Sequence, residues 1–484
     1  MVRRRRLRLL AFVTLLWAGW AAWAMASQPD PLVVQVVDAG GEPVAGAVVT
    51  LEGSAGTTPA GGRVQLDWDG RGVLTVQAEG FLTRRLMVGM PVEAPLVVEL
   101  RPWRLRGVLT DPHGRPIAHA RVEAAGAVGA TDLEGRFDVA GASPGPVTIS
   151  RPGWLASRMD WDGSPGTRTV SLVPQVVKAV HVGGEAAGDR WDEFMALVSD
   201  TELNGLMLDL KDEWGLVYYD TEVRVAEEVG AETPLYDLAA LAGEAERAGV
   251  YLIGRIVTFQ DPMAARAMPD MAVGDRDTGG IFEKNGQFFL DPTDPDARAY
   301  GMALAEEACR LGVDEIQFDY IRYPDGFGER AVFDGGSDEA TRVEAVTSFL
   351  DEARRRLSPA GCAVAADVFG FTTTVVGDGG IGQDWTRVTK VLDVVSPMVY
   401  PSHYDDGWFG LDRPVDHPGE TVRRALEDGI ERLETGVVVR PWLQDFGYDA
   451  SQVRDQIEAA EAFGLGWMLW NPKSNVTTQA LDPR

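Results

Sequence analysis

The segment Glu315-Ile316-Gln317-Phe318-Asp319-Tyr320-Ile321-Arg322-Tyr323-Pro324 is a strand that runs into a carboxylate and then a turn. Period-two alternation places Gln317 and Asp319 on one face and Ile316 and Phe318 on the other. Similar apolar runs follow from Pro174 onward, at 177–182, 205–210, 251–257, 363–368, 394–399, 436–439 and 466–469. Between them, helical periodicity covers 235–248, 295–311, 339–357, 421–433 and 452–463. Near-continuous apolar strands alternating with helices call for a parallel sheet buried on both faces. Eight such units in about 310 residues predict a (β/α)8 TIM barrel over 174–484. An open dinucleotide-binding sheet fits less well, because Gly183-Gly184 after the first strand has no third glycine at the required spacing.

Barrel chemistry sits where strands run into their C-terminal loops. Those positions are polar here: Asp209 and Lys211 end the second strand, Arg255 the third, Gln317 and Asp319 the fourth, with Arg322 just beyond. Asp367 ends the fifth, while His181, Tyr400, and Trp470 with Asn471 close strands one, six and eight. Two carboxyls from neighbouring strands, Asp319 and Asp367, can lie about 5 Å apart, the separation of retaining glycoside hydrolysis. One then attacks the anomeric carbon and the other protonates the leaving oxygen, with Asp209 as a substitute for either. Asp319 is expected to be the ionised partner, helped by Arg322 or Lys211, unless its pairing with Arg322 is only a strand-end clamp. Asp209, Lys211, Arg255, Gln317, Arg322, Tyr400, His181, Trp470 and Asn471 are the candidate substrate-binding residues. Trp214, Trp385, Trp408, Trp442 and Trp470 fall at or near strand ends, where indole faces stack on sugar rings or fill core.

Rival chemistries lack their residues. The barrel segment holds only His181, His403 and His417, without an H-x-H or H-E-x-x-H pair, and no G-x-S-x-G elbow is present. No metal and no cofactor are therefore expected. Asp291-Pro292-Thr293-Asp294-Pro295-Asp296 reads as a helix cap followed by a first-turn proline rather than a calcium loop.

Upstream of the barrel the sequence repeats. At an offset of 73 residues, Gly41-Glu42-Pro43-Val44 falls on Gly114-Arg115-Pro116-Ile117, Thr58 on Thr131, Gly62 on Gly135 and Gly80 on Gly153. Short alternating strands between Gly/Pro turns predict two small antiparallel β-sandwiches, at 31–101 and 104–173. Residues 1–26 carry five arginines, an apolar run from Leu9 to Trp23 and the triplet Ala24-Met25-Ala26. They read as a secretory signal peptide, or as an uncleaved anchor over 9–26. Export to the periplasm, cell envelope or exterior is expected. Cys309 and Cys362 are too few for a disulfide scaffold, and their spacing leaves open whether they pair.

The net charge is −28, and the barrel alone carries 27 basic against 57 acidic residues. Nucleic acid is thereby excluded as a partner, since phosphate binding needs a basic face. A carbohydrate is the expected partner.

The segments Gly205 to Asp212, Arg255 to Phe259, Phe318 to Pro324, Ala366 to Gly370 and Arg440 to Phe446 together resemble the glycoside hydrolase family known as domain of unknown function 4015. The resemblance implies a TIM-barrel hydrolase distantly related to the α-amylase superfamily, with the Asp ending strand four, Asp319, as nucleophile. Amylases carry an Arg two residues before the nucleophile and a Glu ending strand five. Gln317 and Asp367 hold those places here, which leaves Arg322 or Arg255 to orient the nucleophile. The repeats resemble carboxypeptidase regulatory-like domains, which implies a non-catalytic spacer or adhesion module. The function expected is an exported glycosidase acting on a polysaccharide or oligosaccharide. The alternative is a barrel that binds glycan without cleaving it, as an adhesion or assembly protein of the cell envelope.

Overall fold

The computed structural model describes residues 30–484, and the export or anchor segment expected at 1–26 lies outside them. Among the described residues no helix is long and apolar enough to cross a membrane. Two sandwiches come first and share one plan. In the first, a three-stranded sheet ordered Arg63–Leu66, Leu32–Val37, Leu96–Glu99 faces a four-stranded one ordered Ser54–Thr57, Val48–Leu51, Arg71–Gln77, Arg84–Gly89. The second repeats this order with Arg136–Ala140, Arg104–Thr110, Thr167–Ser171 and with Ala127–Ala130, Arg121–Ala125, Ser143–Ser150, Ser157–Trp161. One pair in each three-stranded sheet is parallel, which corrects the wholly antiparallel expectation.

The repeat is written in hydrogen bonds as well as in letters. Thr58 Oγ1 donates to the Val44 carbonyl at 2.7 Å and accepts from the Ala47 amide at 2.9 Å. Thr131 does the same with Ile117 at 2.8 Å and Ala120 at 2.9 Å. Both threonines are buried, where an unpartnered hydroxyl would be costly, so the same residue recurs. Gly62 and Gly135 have φ of 69° and 71°, and a Cβ would approach the Val36 and Leu109 carbonyls to 2.6 and 2.3 Å, so only glycine fits.

The barrel strands are β1 (Lys178–Val182), β2 (Gly205–Lys211), β3 (Tyr251–Val257), β4 (Glu315–Asp319), β5 (Ala363–Phe369), β6 (Val394–Met398), β7 (Val438–Val439 and Trp442–Gln444) and β8 (Trp467–Trp470). All neighbours are parallel, and β1 pairs with both β2 and β8, which closes the ring. Pro441 interrupts β7 because it has no amide hydrogen to donate. The main outer helices are α1 (Gly184–Asp200), α2 (Leu238–Ala248), α3 (Pro295–Arg310), α4 (Glu339–Leu357), α5 (Pro418–Glu431) and α6 (Ala450–Glu461). Asp294 caps α3, accepting from the Asp296 and Ala297 amides at 3.0 and 2.7 Å, as its position before Pro295 predicts. Residues 232–236, partly assigned to helix by periodicity, form instead a short strand beside Val217–Tyr219.

Inside the ring, Glu315, Arg440 and Tyr251 form the lowest layer. Gln317 Nε2 donates to Ser396 Oγ at 2.9 Å in the layer above, among Met207, Ile253 and Met468. Polar groups occupy the rim.

The second sandwich closes the barrel floor. Its core residues Ile117 and Trp154 belong to one apolar cluster with Ala365, Val394 and Val438 of the barrel strands. Arg151, buried, pairs with Asp393 at 3.0 Å and donates to the Leu392 and Gly436 carbonyls at 2.7 and 3.1 Å. The second sandwich is thus packed against the barrel rather than tethered to it by a linker. The first sandwich keeps a core of its own.

Cys309 at the end of α3 and Cys362 before β5 are joined in a disulfide with their Cα atoms 6.0 Å apart. Closing a loop with this sequence separation of 53 residues stabilises by about 4 kcal/mol on the chain-entropy scale. Replacing both cysteines by serine is expected to lower the unfolding free energy by ~2–4 kcal/mol in urea denaturation.

Candidate active site

A pocket of about 170 Å³ opens at the C-terminal ends of the strands. Its centre is Asp319, which ends β4. Arg255 of β3 is level with Gln317 in the strand register, and its guanidinium reaches past that residue to Asp319. Arg255 Nε and Nη2 donate to Asp319 Oδ2 at 2.8 and 2.6 Å, and Nη1 donates to Asp209 Oδ1 at 2.8 Å. Asp209 Oδ2 lies 2.9 Å from His181 Nε2, and His181 Nδ1 lies 2.8 Å from the Asn471 carbonyl oxygen. Burial opposes charge on Asp209, yet His181 and Arg255 outweigh it and bring the carboxyl down to about 2. Burial likewise opposes the Arg255 cation, and the negative charges of Asp319 and Asp209 reverse that and raise its affinity for its proton.

The backbone contributes to this hold. Tyr320 has φ of 48°, a left-handed conformation costing about 1–3 kcal/mol for a residue with a side chain. That conformation brings the Tyr320 amide to Asp319 Oδ1 at 2.6 Å and sets the tyrosine ring in the pocket wall. The other oxygen faces Arg255, so both are engaged.

Asp367, at the same pocket, has the opposite surroundings. It is 2% exposed, and Trp442 Nε1 donates to its Oδ1 at 2.7 Å. Burial and then the charge of Asp319 push its proton affinity well above the usual carboxylate range, against the pull of Arg255 and Trp442. Gln383 clamps the strand behind it, donating to the Asp367 carbonyl at 3.1 Å and accepting from the Phe369 amide at 2.9 Å. One carboxyl in the pocket thus faces a guanidinium, and the other sits where burial and a like charge favour its protonated form.

This arrangement costs stability as pH rises. The folded state holds the Asp367 proton more tightly than an unfolded aspartate, whose value is about 3.9. Its favourable contribution is fully present below about pH 4 and is lost as pH climbs through the folded value. Asp367→Asn is therefore expected to raise Tm relative to the parent at pH 7 to 9 and to bring little gain at pH 4, which thermal melts across that range will show.

The expected residues divide into three groups. Arg255, Arg322, Tyr400 and Trp470 line the pocket with Asp319 and Asp367. His181 and Asp209 are not among the residues lining this pocket and reach Asp319 through Arg255. Lys211, Gln317 and Asn471 do not line it either. A register shift after Asp209 turns Lys211 away, and its Nζ pairs with Asp261 at 2.9 Å and donates to the Val257 carbonyl at 2.6 Å. Gln317 is fully buried in the layer beneath. The Asn471 side chain is spent on its own turn, accepting from the Lys473 amide at 3.0 Å and donating to the Asp445 carbonyl.

Arg322 is not a partner of Asp319. It donates to the Tyr323 carbonyl at 3.1 Å, lies 3.4 Å from Asp325, and sits over the Tyr320 and Phe369 rings. The choice between Arg322 and Arg255 for orienting Asp319 thus falls on Arg255. Of the five tryptophans, Trp442 and Trp470 line the pocket and meet edge to face at 5.5 Å. Trp385 is core, and Trp214 is 54% exposed.

Phe369 and Met398 also line the pocket, each two positions beyond an inward residue, and one further step of the alternation reaches them. Gln383 comes from a loop and His403 from the 3-10 turn Pro401–His403, where no period points to them.

The sequence was compared with known proteins. The model of the family described as "Putative glycosyl hydrolase domain" matches residues 179–476, more than half of the chain. Among curated proteins nothing matches. A crystal structure of a hypothetical protein from Ruminiclostridium thermocellum is 32% identical, covering 39% of this chain and 97% of that one, with a TM-score of 0.36. The PgaB (BpsB) glycoside hydrolase domain from Bordetella bronchiseptica is 15% identical, covering 62% and 95%, with a TM-score of 0.45. The PelA glycoside hydrolase domain from Pseudomonas aeruginosa is 12% identical, covering 62% and 97%, with a TM-score of 0.39. Because the family match runs from the first barrel strand to beyond the last, this chain belongs to that glycosyl hydrolase family, and its barrel is a glycoside hydrolase-like domain.

Proposed function

We propose that the chain is an exported glycoside hydrolase that cleaves a polysaccharide or oligosaccharide with retention at the anomeric carbon. The observation that carries this reading is the opposite environment of two carboxyls in one pocket: Asp319 on Arg255, and Asp367 buried beside that charge, which raises its affinity for a proton. Asp319 attacks the anomeric carbon while Asp367 gives its proton to the leaving oxygen. The glycosidic bond breaks, and a bond from sugar to Asp319 forms. Asp367, now ionised, then takes a proton from water as that water displaces Asp319, which restores both groups. Trp442, Trp470 and Tyr400 give the pocket an apolar wall beside the two carboxyls, the mixture of apolar lining and a few polar groups that suits a small-molecule or sugar site. The disulfide supports export, because such bonds persist in oxidising compartments.

The test is reducing-end release by the purified full chain from α- and β-linked polysaccharides, with Asp319→Asn as control. Proton NMR of the first product reads its anomeric configuration. Binding without release by either protein would sink the hydrolase reading. Release with inversion would sink the retaining one.

A further inference from the structure

Four charged or chargeable groups form one line from beside the β8 loop to Asp319 in the pocket. The Asn471 carbonyl oxygen can only accept a hydrogen bond, and it lies 2.8 Å from His181 Nδ1. On the far side of the ring, Nε2 lies 2.9 Å from Asp209 Oδ2, and Asp209 Oδ1 is held by Arg255 at 2.8 Å, which keeps that carboxyl an acceptor. A neutral imidazole would aim a lone pair at one of these two oxygens. Only the doubly protonated ring donates to both.

We propose that His181 is a standing imidazolium and a positioning residue, holding Asp319 in place through Asp209 and Arg255. The groups that face it are Asp209 from β2 and, from β8 and its loop, the Asn471 carbonyl and the Trp470 ring. That ring stacks on it at 4.0 Å, a contact favourable to a cation. The next charge outward is Arg255 from β3, itself 5.0 Å over the same indole. Charge therefore alternates along the line as His181 positive, Asp209 negative, Arg255 positive and Asp319 negative. Asp209 is fixed between two cations, and Arg255 between two carboxylates. Loss of the His181 charge frees Asp209, and Arg255 then loses its anchor on the side away from the pocket. The role assigned to Asp319 rests on the function proposed above; the protonation of His181 does not.

The test uses the full chain labelled with nitrogen-15 at histidine and arginine. The five histidines give few signals, and His181→Gln identifies the one of interest. Both ring nitrogens of His181 are expected to carry protons at pH 7. A ring nitrogen without a proton at that pH overturns the imidazolium. The Arg255 Nε–H signal is expected to be sharp and slow to exchange in the parent, lost in His181→Phe, and partly restored in His181→Gln, whose amide still donates to Asp209. An unchanged signal in His181→Phe overturns the positioning role whether or not a substrate is known. With 4-methylumbelliferyl glycosides as probes, His181→Phe is expected to lower kcat about 10²-fold with KM changed less than about threefold, the scale of a nucleophile misplaced by about 1 Å. Full activity in His181→Phe beside an inactive Asp319→Asn overturns the positioning alone. Full activity in Asp319→Asn overturns the function proposed above and leaves the spectra to decide the protonation of His181.

Discussion

Asp319→Asn is expected to reduce glycoside hydrolysis by at least ~10⁴-fold in kcat/KM, equivalent to about 5.4 kcal/mol of transition-state stabilisation. Asparagine keeps the shape of the side chain but only one acceptor oxygen, so either the Tyr320 amide or the Arg255 fork keeps its partner and the other faces an NH2 group. It can neither attack the anomeric carbon nor offset a developing positive charge there. Removing the carboxylate also takes away the negative charge that, after burial, does most to raise Asp367, so the proton on Asp367 is expected to be held less tightly in the variant. A second variant separates chemistry from folding. Asp319→Ala leaves room for a small anion, and added azide or formate is expected to restore turnover by attacking in place of the missing carboxylate. With azide the product is a glycosyl azide of inverted anomer, which chromatography and proton NMR read directly. Restored turnover without that product would exclude Asp319 as the nucleophile.

The largest effect on stability is expected at the opposite end of the barrel. Glu315 and Arg440 meet at 2.7 Å with both side chains fully buried, and Tyr251 Oη donates to Glu315 at 3.0 Å. Two further nitrogens of Arg440, Nε and Nη2, are buried without a partner. The two halves of this pair do not respond alike to loss of the other. Burial already pushes the Glu315 carboxyl upward against the pull of Arg440, so in Arg440→Met it neutralises by taking a proton. A guanidinium has no such exit. Glu315→Leu is therefore expected to cost about 3–5 kcal/mol, and Arg440→Met less, with a loss that shrinks as pH falls. The double variant is expected to lie near the parent, since well-packed apolar side chains commonly replace a buried pair without cost. Urea denaturation of the four proteins at pH 5 and pH 8 gives the cycle. Equal losses in the two single variants would contradict this account.

How much of this was legible in the sequence depended on what wrote the pattern. Barrel strands such as Tyr251–Val257 and helices such as Glu339–Leu357 are long and periodic, and their ends are where hydrophobic patterning puts them. Alternation also brought Asp209, Arg255, Asp319 and Asp367 to one rim, because parity along a strand survives closure of the ring. It failed at Lys211, where a single register shift after Asp209 exchanged the faces, and a bulge leaves no mark in hydrophobicity. It misjudged depth at Gln317, since parity tells inward from outward and not how far below the rim a residue lies. The partner of Asp319 could not be chosen from one chain of letters. Arg322 is three residues away and Arg255 is 64, yet the neighbouring strand in the register supplies the guanidinium. The pairing of Cys309 with Cys362 likewise depends on the end of α3 meeting the residue that precedes β5, a tertiary fact.

One module used twice in a chain has acquired two different obligations. Ala78 stands where the 73-residue offset puts Arg151, so the residue that bonds three barrel groups in one copy is a methyl in the other. The first copy therefore answers only to its own core. The second is answerable to two cores at once, and a change that suits the sandwich must also suit the floor of the enzyme. Exchanging the two copies would keep every strand and cost the barrel its base, because Ala78 in place of Arg151 leaves Asp393 without its cation. The smallest structural unit that keeps this barrel whole thus begins some seventy residues before the barrel does.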